Sequence, residues 1–395
     1  MLLARQVPFL VPFLRDLTLQ DFPFLTSLAA SKSARDRRIW LRVASDHFVA
    51  VEPDDPQAIE TFAEVMAAQL EAADPATRIE IAGKLASCAR TPLRLLVKLE
   101  AMDPEVSDFV LGHAVAYSER ELKEAIARGA RQATAVAKRK PLSPGLANLI
   151  TFHDDVDVLI ALARNAFAEL ERAALIRLLK RARSLGEERA DLRLAKALLE
   201  RRPVRAEYAL LFFIARPDQR VEILLAAQRL QLGRPPGFVV STPSTTLDEL
   251  EVAAVARQPE RFVVTLAGAL DCGPDLAQRI VDDVSGEPLA VALAALGASN
   301  EVLVRVLISN DLAAGANYQR IRALARLNNA LDRNAATMIV AALRDGAVMA
   351  LRHLPSADGR APGEASRAAA ARGASGRDDP PQRAAPSPRL RGEVG

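Results

Sequence analysis

The chain has 395 residues, of which 50% are hydrophobic and only 4% aromatic. The apolar residues, mostly Ala, Leu and Val, are ample for a core and suit close packing between helices. The 52 basic and 49 acidic residues leave a formal net charge of +3, which excludes a polycation and gives no argument by itself for nucleic-acid binding.

The first 30 residues are predicted to form an N-terminal arm. Their apolar run from Val7 to Leu14 contains two prolines and ends at Arg15-Asp16, so it is too short to span a bilayer and is not typical of a signal peptide. The two cysteines, Cys88 and Cys272, have no CxxC spacing and indicate reduced thiols. We therefore expect a cytoplasmic protein without a transmembrane helix.

Helix-start signals recur along the chain. Ser118 and Glu121 have the spacing of a capping box. Five dipeptides place a capping side chain before a proline that suits the first helical position: Asp55-Pro56, Asp74-Pro75, Thr91-Pro92, Asp103-Pro104 and Ser143-Pro144. With strand signals almost absent, the sequence predicts an all-α protein.

Apolar residues also recur with a period of about two dozen residues. Such a period is typical of stacked repeats, in which each unit is too small to bury its own apolar face. The fold expected is an α-solenoid of stacked short helical hairpins, HEAT- or armadillo-like. The recurring residues are Leu122, Ile126 and Val136; Leu146, Ile150 and Ile160; Leu250, Ala254 and Val264; Leu276, Ile280 and Ala290; and Leu303 with Leu307.

Composition divides the chain further. Residues 233–246 are rich in Gly, Pro, Ser and Thr and read as a linker or long loop between two helical-repeat blocks, 31–232 and 247–352. Residues 353–395 are rich in Ala, Arg, Gly, Pro and Ser. They contain too few large apolar residues to offset the entropy of ordering, so we predict a disordered tail.

Catalytic signals are weak. The chain has no GxxxxGK[ST], GxGxxG or GxSxG motif. The dipeptide His153-Asp154, with His113 before it and Asp191 after it, permits an HD-type metal phosphohydrolase as a distant alternative. The repeat instead places this dipeptide in a turn between helices, where Asp residues serve as caps. We expect a protein that is not an enzyme and has no metal, cofactor or small-molecule substrate.

A basic segment offers a candidate binding surface. Arg177, Lys180 and Arg181 follow helical i, i+3, i+4 spacing and should share a face turned away from Ile176 and Leu179. Such a face suits an acidic protein partner, and on a curved helical repeat it also suits a nucleic-acid duplex. The full candidate set is Arg177, Lys180, Arg181 and Arg183, together with Lys138, Arg139 and Lys140.

Patterned residues between Phe24 and about Arg183 carry a resemblance. They are Leu25-Thr-Ser-Leu-Ala-Ala with Ala34-Arg-Asp-Arg, Leu122-Lys-Glu-Ala-Ile-Ala-Arg, Ala135-Val-Ala-Lys-Arg with Pro141-Leu-Ser, and Val158-Leu-Ile-Ala-Leu-Ala-Arg-Asn. This part resembles an uncharacterised alphaproteobacterial helical-repeat family, a domain of unknown function. The resemblance implies a HEAT-like or leucine-rich-repeat-variant-like α-solenoid in a bacterial cytoplasm, and it brings no catalytic residues.

These observations favour a non-enzymatic interaction, scaffold or regulatory protein that recognises a protein partner through its helical-repeat surface. The first alternative is a nucleic-acid-binding repeat protein that uses the basic segment around 172–205. The second is the metal phosphohydrolase, which requires His113, His153 and Asp154 to converge.

Overall fold

A computed structural model describes residues 33–50, 56–232, 244–309 and 317–345. Within these ranges the chain forms nineteen α-helices, one 3-10 helix and no strand, so the predicted all-α class is confirmed. A single isolated bridge joins Leu142 to Ala168. None of the described helices combines the length and the apolar composition that a bilayer-spanning helix requires.

The helices fall into two consecutive sets. The first set is α1 (Ala34–Ala50), α2 (Pro56–Glu71), α3 (Pro75–Ala86), α4 (Leu93–Met102), α5 (Pro104–His113), α6 (Glu119–Arg128), α7 (Ala130–Ala137), α8 (Pro144–Ile150), α9 (Val156–Arg164), α10 (Arg172–Arg189) and α11 (Arg193–Leu199). The 3-10 helix Ala206–Leu211 follows. The second set is α12 (Pro217–Gln231), α13 (Ser244–Val255), α14 (Pro259–Leu270), α15 (Pro274–Asp282), α16 (Glu287–Leu296), α17 (Asn300–Ser309), α18 (Tyr318–Ala330) and α19 (Arg333–Asp345).

In the first set, each odd-numbered helix contacts the next odd-numbered helix. Helices α1, α3, α5, α7, α9 and α11 form one continuous row of contacts. Contacts between α2 and α4 and between α6 and α8 belong to a second row, and chain neighbours such as α6 and α7 join the rows. This alternation is the packing that stacked helical hairpins make. That the stack is a HEAT-like solenoid stays a prediction.

The second set packs around one buried helix. Helix α16 contacts α14, α15, α18 and α19, and nine of its ten residues are buried. It is apolar on all sides, as expected of a helix surrounded by others. Helix α19 also contacts α12 and the 3-10 helix, so helices from both sides of the predicted linker pack together.

Three of the six predicted caps form, and Asp55 lies outside the described residues. Ser118 and Glu121 make the reciprocal capping box, and Asp74 and Ser143 each accept from a first-turn amide. The side chains of Thr91 and Asp103 do not cap a helix, because each makes a hydrogen bond to another group. The Thr91 hydroxyl donates to the Leu85 carbonyl at 2.6 Å, and the Asp103 carboxylate accepts from Arg78 at 2.7 Å.

Burial follows the repeat in some units and departs from it in another. All six repeat residues from Leu122 to Ile160 are buried. Val264, which the repeat places in a core position, is 67% exposed. The buried face of α14 runs through Phe262, Val263 and Leu266, and this places Val264 on the opposite side of the helix.

Three of the predicted segments lie wholly or largely outside the described residues. They are the N-terminal arm 1–30, the tail 353–395 and most of the linker 233–246. The last three residues of that predicted linker belong to the first turn of α13.

Candidate interaction surface

Arg177 on α10 is fixed against the end of α8. Its Nε donates to the Thr151 hydroxyl at 2.9 Å, and a terminal nitrogen donates to the Asn148 side-chain oxygen. Its guanidinium also lies 4.2 Å from the centre of the Phe152 ring, which is 63% exposed. These contacts hold a cation over an exposed aromatic ring in one arrangement.

Lys180 and Arg181 lie one turn further along α10. Lys180 is exposed and Arg181 is half-buried, while Ile176 and Leu179 are buried, as the helical spacing predicted. Among the residues that the structure describes, neither Lys180 nor Arg181 has an ion-pair partner. We call Phe152, Arg177, Lys180 and Arg181 the basic–aromatic patch.

Arg183 does not belong to this patch. Its terminal nitrogens donate to the carbonyl oxygens of Ala342 and Leu343 at 3.1 and 2.9 Å, near the C-terminal end of α19. Its Nε pairs with Glu187 at 2.9 Å. The side chain expected to contribute to a partner surface therefore holds α10 to the last described helix.

Arg139 is likewise an internal residue. Its terminal nitrogens donate to the carbonyl oxygens of Leu111 and Ala114 at 2.6 and 2.7 Å, at the C-terminal end of α5. Burial lowers the pKa of its guanidinium from the ordinary value. Since its donors face a neighbouring helix end, Arg139 is poorly placed to bind an external phosphate or carboxylate.

Lys138 and Lys140, on either side of Arg139, are both exposed. The Lys140 ammonium lies 5.2 Å from the centre of the Phe167 ring, in the segment after α9. No hydrogen bond or ion pair between described residues joins these lysines to the basic–aromatic patch. The seven predicted basic residues are thus divided among separate local environments.

Arginine at the C-terminal end of a neighbouring helix recurs through the molecule. The last carbonyls of a helix have no partner within that helix and carry a partial negative charge, which a guanidinium satisfies with several donors. Sequence reasoning missed this role because these arginines have no local pattern that distinguishes them from solvated ones. The arginines are Arg78 bound at the end of α2, Arg139 at the end of α5, Arg201 at the end of α9, Arg333 at the end of α16 and Arg183 at the end of α19.

The histidines of the phosphohydrolase alternative make separate local contacts. His113 stacks on Phe109 with ring centres 4.3 Å apart. The Nδ1 of His153 accepts from the Asp155 amide at 3.0 Å, and Asp191 pairs with Arg193. Among the described residues, no group of three His, Cys, Asp or Glu side chains could hold a metal ion. The alternative therefore gains no support from the geometry.

The basic–aromatic patch remains the part of the predicted surface with a defined geometry. It combines an exposed ring, a fixed guanidinium and two further cations on one helix. Comparisons with protein-family models, curated proteins and solved structures found no significant match. The resemblance to a helical-repeat family stays a prediction.

Proposed function

We propose that the chain is a non-enzymatic interaction protein that binds an acidic protein partner through the basic–aromatic patch. In this proposal the helices form a HEAT-like solenoid in a bacterial cytoplasm, and the solenoid serves as a rigid scaffold for recognition. Specificity comes from side chains fixed on its surface before the partner arrives.

The pair of Phe152 and Arg177 is the observation that supports the proposal most. Phe152 is 63% exposed and lies beside a fixed guanidinium, so the protein presents an aromatic ring and a cation together at its surface. Aromatic residues and arginine are enriched at the centres of protein interfaces. Because Thr151 and Asn148 already hold the guanidinium, less side-chain entropy is lost on binding.

The charges around the pair favour a carboxylate-bearing protein. Arg177, Lys180 and Arg181 are three cations within little more than one helical turn, so acidic side chains on a partner complement them. A nucleic-acid duplex would need a longer track of available cations. Arg139 and Arg183, which would extend such a track, are bound to backbone carbonyls within the protein.

A tagged pull-down from the native host, with and without nuclease, tests the proposal. The tagged wild-type protein and its Phe152→Ala variant are recovered side by side, and bound proteins are identified by mass spectrometry. We expect a stoichiometric protein that survives nuclease treatment and is depleted with Phe152→Ala. Recovery of nucleic acid, with bound proteins released by nuclease, would instead indicate the nucleic-acid-binding alternative.

A further inference from the structure

Phe167 is a second exposed aromatic ring, and the segment that carries it makes several hydrogen bonds. It is 60% exposed, and its amide donates to the Asn165 side-chain oxygen at 3.0 Å. The Asn165 amide group is buried and donates to the carbonyls of Ala137 and Arg139 at 2.8 and 2.7 Å. Arg201 holds the next carbonyl, that of Ala168, at 2.7 Å. The ring is therefore presented to solvent on a fixed backbone.

The ring forms one wall of a cleft of about 400 Å³. This volume lies within the range of protein sites for small ligands. The cleft lies between α6, the start of α8 with the segment before it, and the segment after α9. Its apolar walls are Leu122, Pro141, Leu142, Pro144 and Leu146. These apolar walls suit the aliphatic part of a bound side chain.

The polar groups at the cleft include two carboxylates. Glu119 and Glu169 both line it and both are exposed. Glu119 pairs with Lys123 at 2.8 Å, whereas Glu169 has no ion-pair partner among the described residues. Arg139 also lines the cleft, but its terminal nitrogens are bound to the carbonyls of α5 and the segment after it.

A cation of the same chain, the Lys140 ammonium, already lies near the Phe167 ring. The Lys140 ammonium lies 5.2 Å from the centre of the Phe167 ring, within the distance of a cation–π contact. Since Lys140 is exposed, its ammonium can leave the ring for water at little cost. An external cation with an aliphatic stem would then find the Phe167 ring, the apolar walls and the Glu169 carboxylate.

From this juxtaposition we infer that the cleft binds an arginine or lysine side chain of a peptide or protein segment. The cation lies over Phe167 near Glu169, and its stem lies along the apolar walls. Lys140 competes for the ring from within the chain. The inference does not depend on the basic–aromatic patch, which has the opposite charge preference and lies on other residues.

The test titrates the full-length protein with blocked pentapeptides, acetyl-Ala-Ala-Xaa-Ala-Ala-amide, in which Xaa is arginine, lysine, norleucine or glutamate. Saturation-transfer difference NMR gives the affinity of each peptide. We expect the arginine and lysine peptides to bind and the norleucine and glutamate peptides not to bind, because only the first two carry a cation on an aliphatic stem.

Variants locate the site. Phe167→Ala and Glu169→Gln should each weaken binding of the arginine peptide by about two- to fivefold, the size expected for an exposed cation–π or ion-pair contact. Lys140→Ala should strengthen it, because the internal competitor is removed. Phe167→Leu, which keeps an apolar side chain but removes the aromatic face, should weaken binding in the same direction as Phe167→Ala.

Phe152→Ala is the matched control, since Phe152 is also an exposed ring beneath a cation, on different elements. It should leave binding of the arginine peptide unchanged. The inference is overturned if no peptide binds, if the glutamate peptide binds in preference, or if Phe152→Ala weakens binding as much as Phe167→Ala does.

Discussion

The guanidinium of Arg220 donates to the carboxylate of Asp283 at 2.9 Å, although 63 residues separate them in sequence. Their side chains are only 8% and 15% exposed. Arg220 also donates to the Ser285 hydroxyl and pairs with Glu287, which in turn pairs with Arg320. Two guanidinium groups and two carboxylates thus form a balanced, largely buried network that joins α12 to the start of the central helix α16.

Replacing Arg220 should destabilise the fold strongly. Arg220→Ala leaves the carboxylates of Asp283 and Glu287 in a poorly solvated site with only part of their compensating charge. Removing one partner of a buried ion pair typically costs about 3–5 kcal/mol. Urea unfolding followed by circular dichroism would measure this as a lower free energy of unfolding.

Arg216→Ala serves as the control for that measurement. Arg216 lies one turn before Arg220 and pairs with Asp218, but both of those side chains are more than 60% exposed. We therefore expect little change in the free energy of unfolding. Similar losses for Arg216→Ala and Arg220→Ala would show that burial of the network does not govern its contribution.

The same network predicts an acid dependence of stability. Burial alone would raise the pKa of Asp283, but hydrogen bonds from Arg220 and Ser285 outweigh it and lower the pKa below its ordinary value of 3.8. The unfolded state then binds more protons than the folded state as the pH falls past that value. The stabilisation is complete above the ordinary pKa and is lost as the pH falls through the lowered one.

Asp283→Asn isolates this effect because the amide does not titrate. The free energy of unfolding of the wild type should exceed that of Asp283→Asn by a constant amount between pH 7 and pH 5. The difference should shrink as the pH falls below about 4, where the unfolded carboxylate takes up its proton. Urea unfolding across this pH series would contradict the assignment if the difference stayed constant down to pH 3.

Arg139 and Lys138 are adjacent basic residues, but we predict that only Arg139 contributes substantially to the free energy of unfolding. Arg139→Ala removes two charge-assisted hydrogen bonds to the carbonyls of Leu111 and Ala114 and should lower the free energy of unfolding by about 2 kcal/mol. Lys138→Ala removes only an exposed side chain and should have little effect. Equal stability of the two variants in urea unfolding would rule out the proposed role of Arg139 in joining helices.

The all-α class could be predicted from local signals, because a capping side chain such as Ser118 acts within one turn of its own helix. The helical spacing of Arg177, Lys180 and Arg181 also predicted their position on α10, since one helix fixes it. The role of Arg183 could not be predicted in this way. Its acceptors, the carbonyls of Ala342 and Leu343, are about 160 residues away, and no local pattern indicates such a contact.

The contacts of Arg177 with Phe152 and of Lys140 with Phe167 could not be predicted from the sequence either. Phe152 lies at the end of α8 and Phe167 after α9, and neither follows a repeating pattern with its cation. Arg177 comes to lie over Phe152 only through tertiary contacts, with its guanidinium bound to Asn148 and Thr151. The sequence therefore indicated a basic surface but not its division into a basic–aromatic patch, a separate cleft and several internal contacts.

The basic–aromatic patch is tested most directly by the affinity of the partner recovered with the wild-type protein. Calorimetry would compare the wild type with Lys180→Glu/Arg181→Glu and with Arg322→Glu/Arg326→Glu, two exposed arginines on α18 whose reversal changes the net charge equally. We predict that the first double variant weakens binding by about tenfold or more and that the second leaves it nearly unchanged. Equal affinities for both double variants would contradict the assignment of the patch as the binding surface.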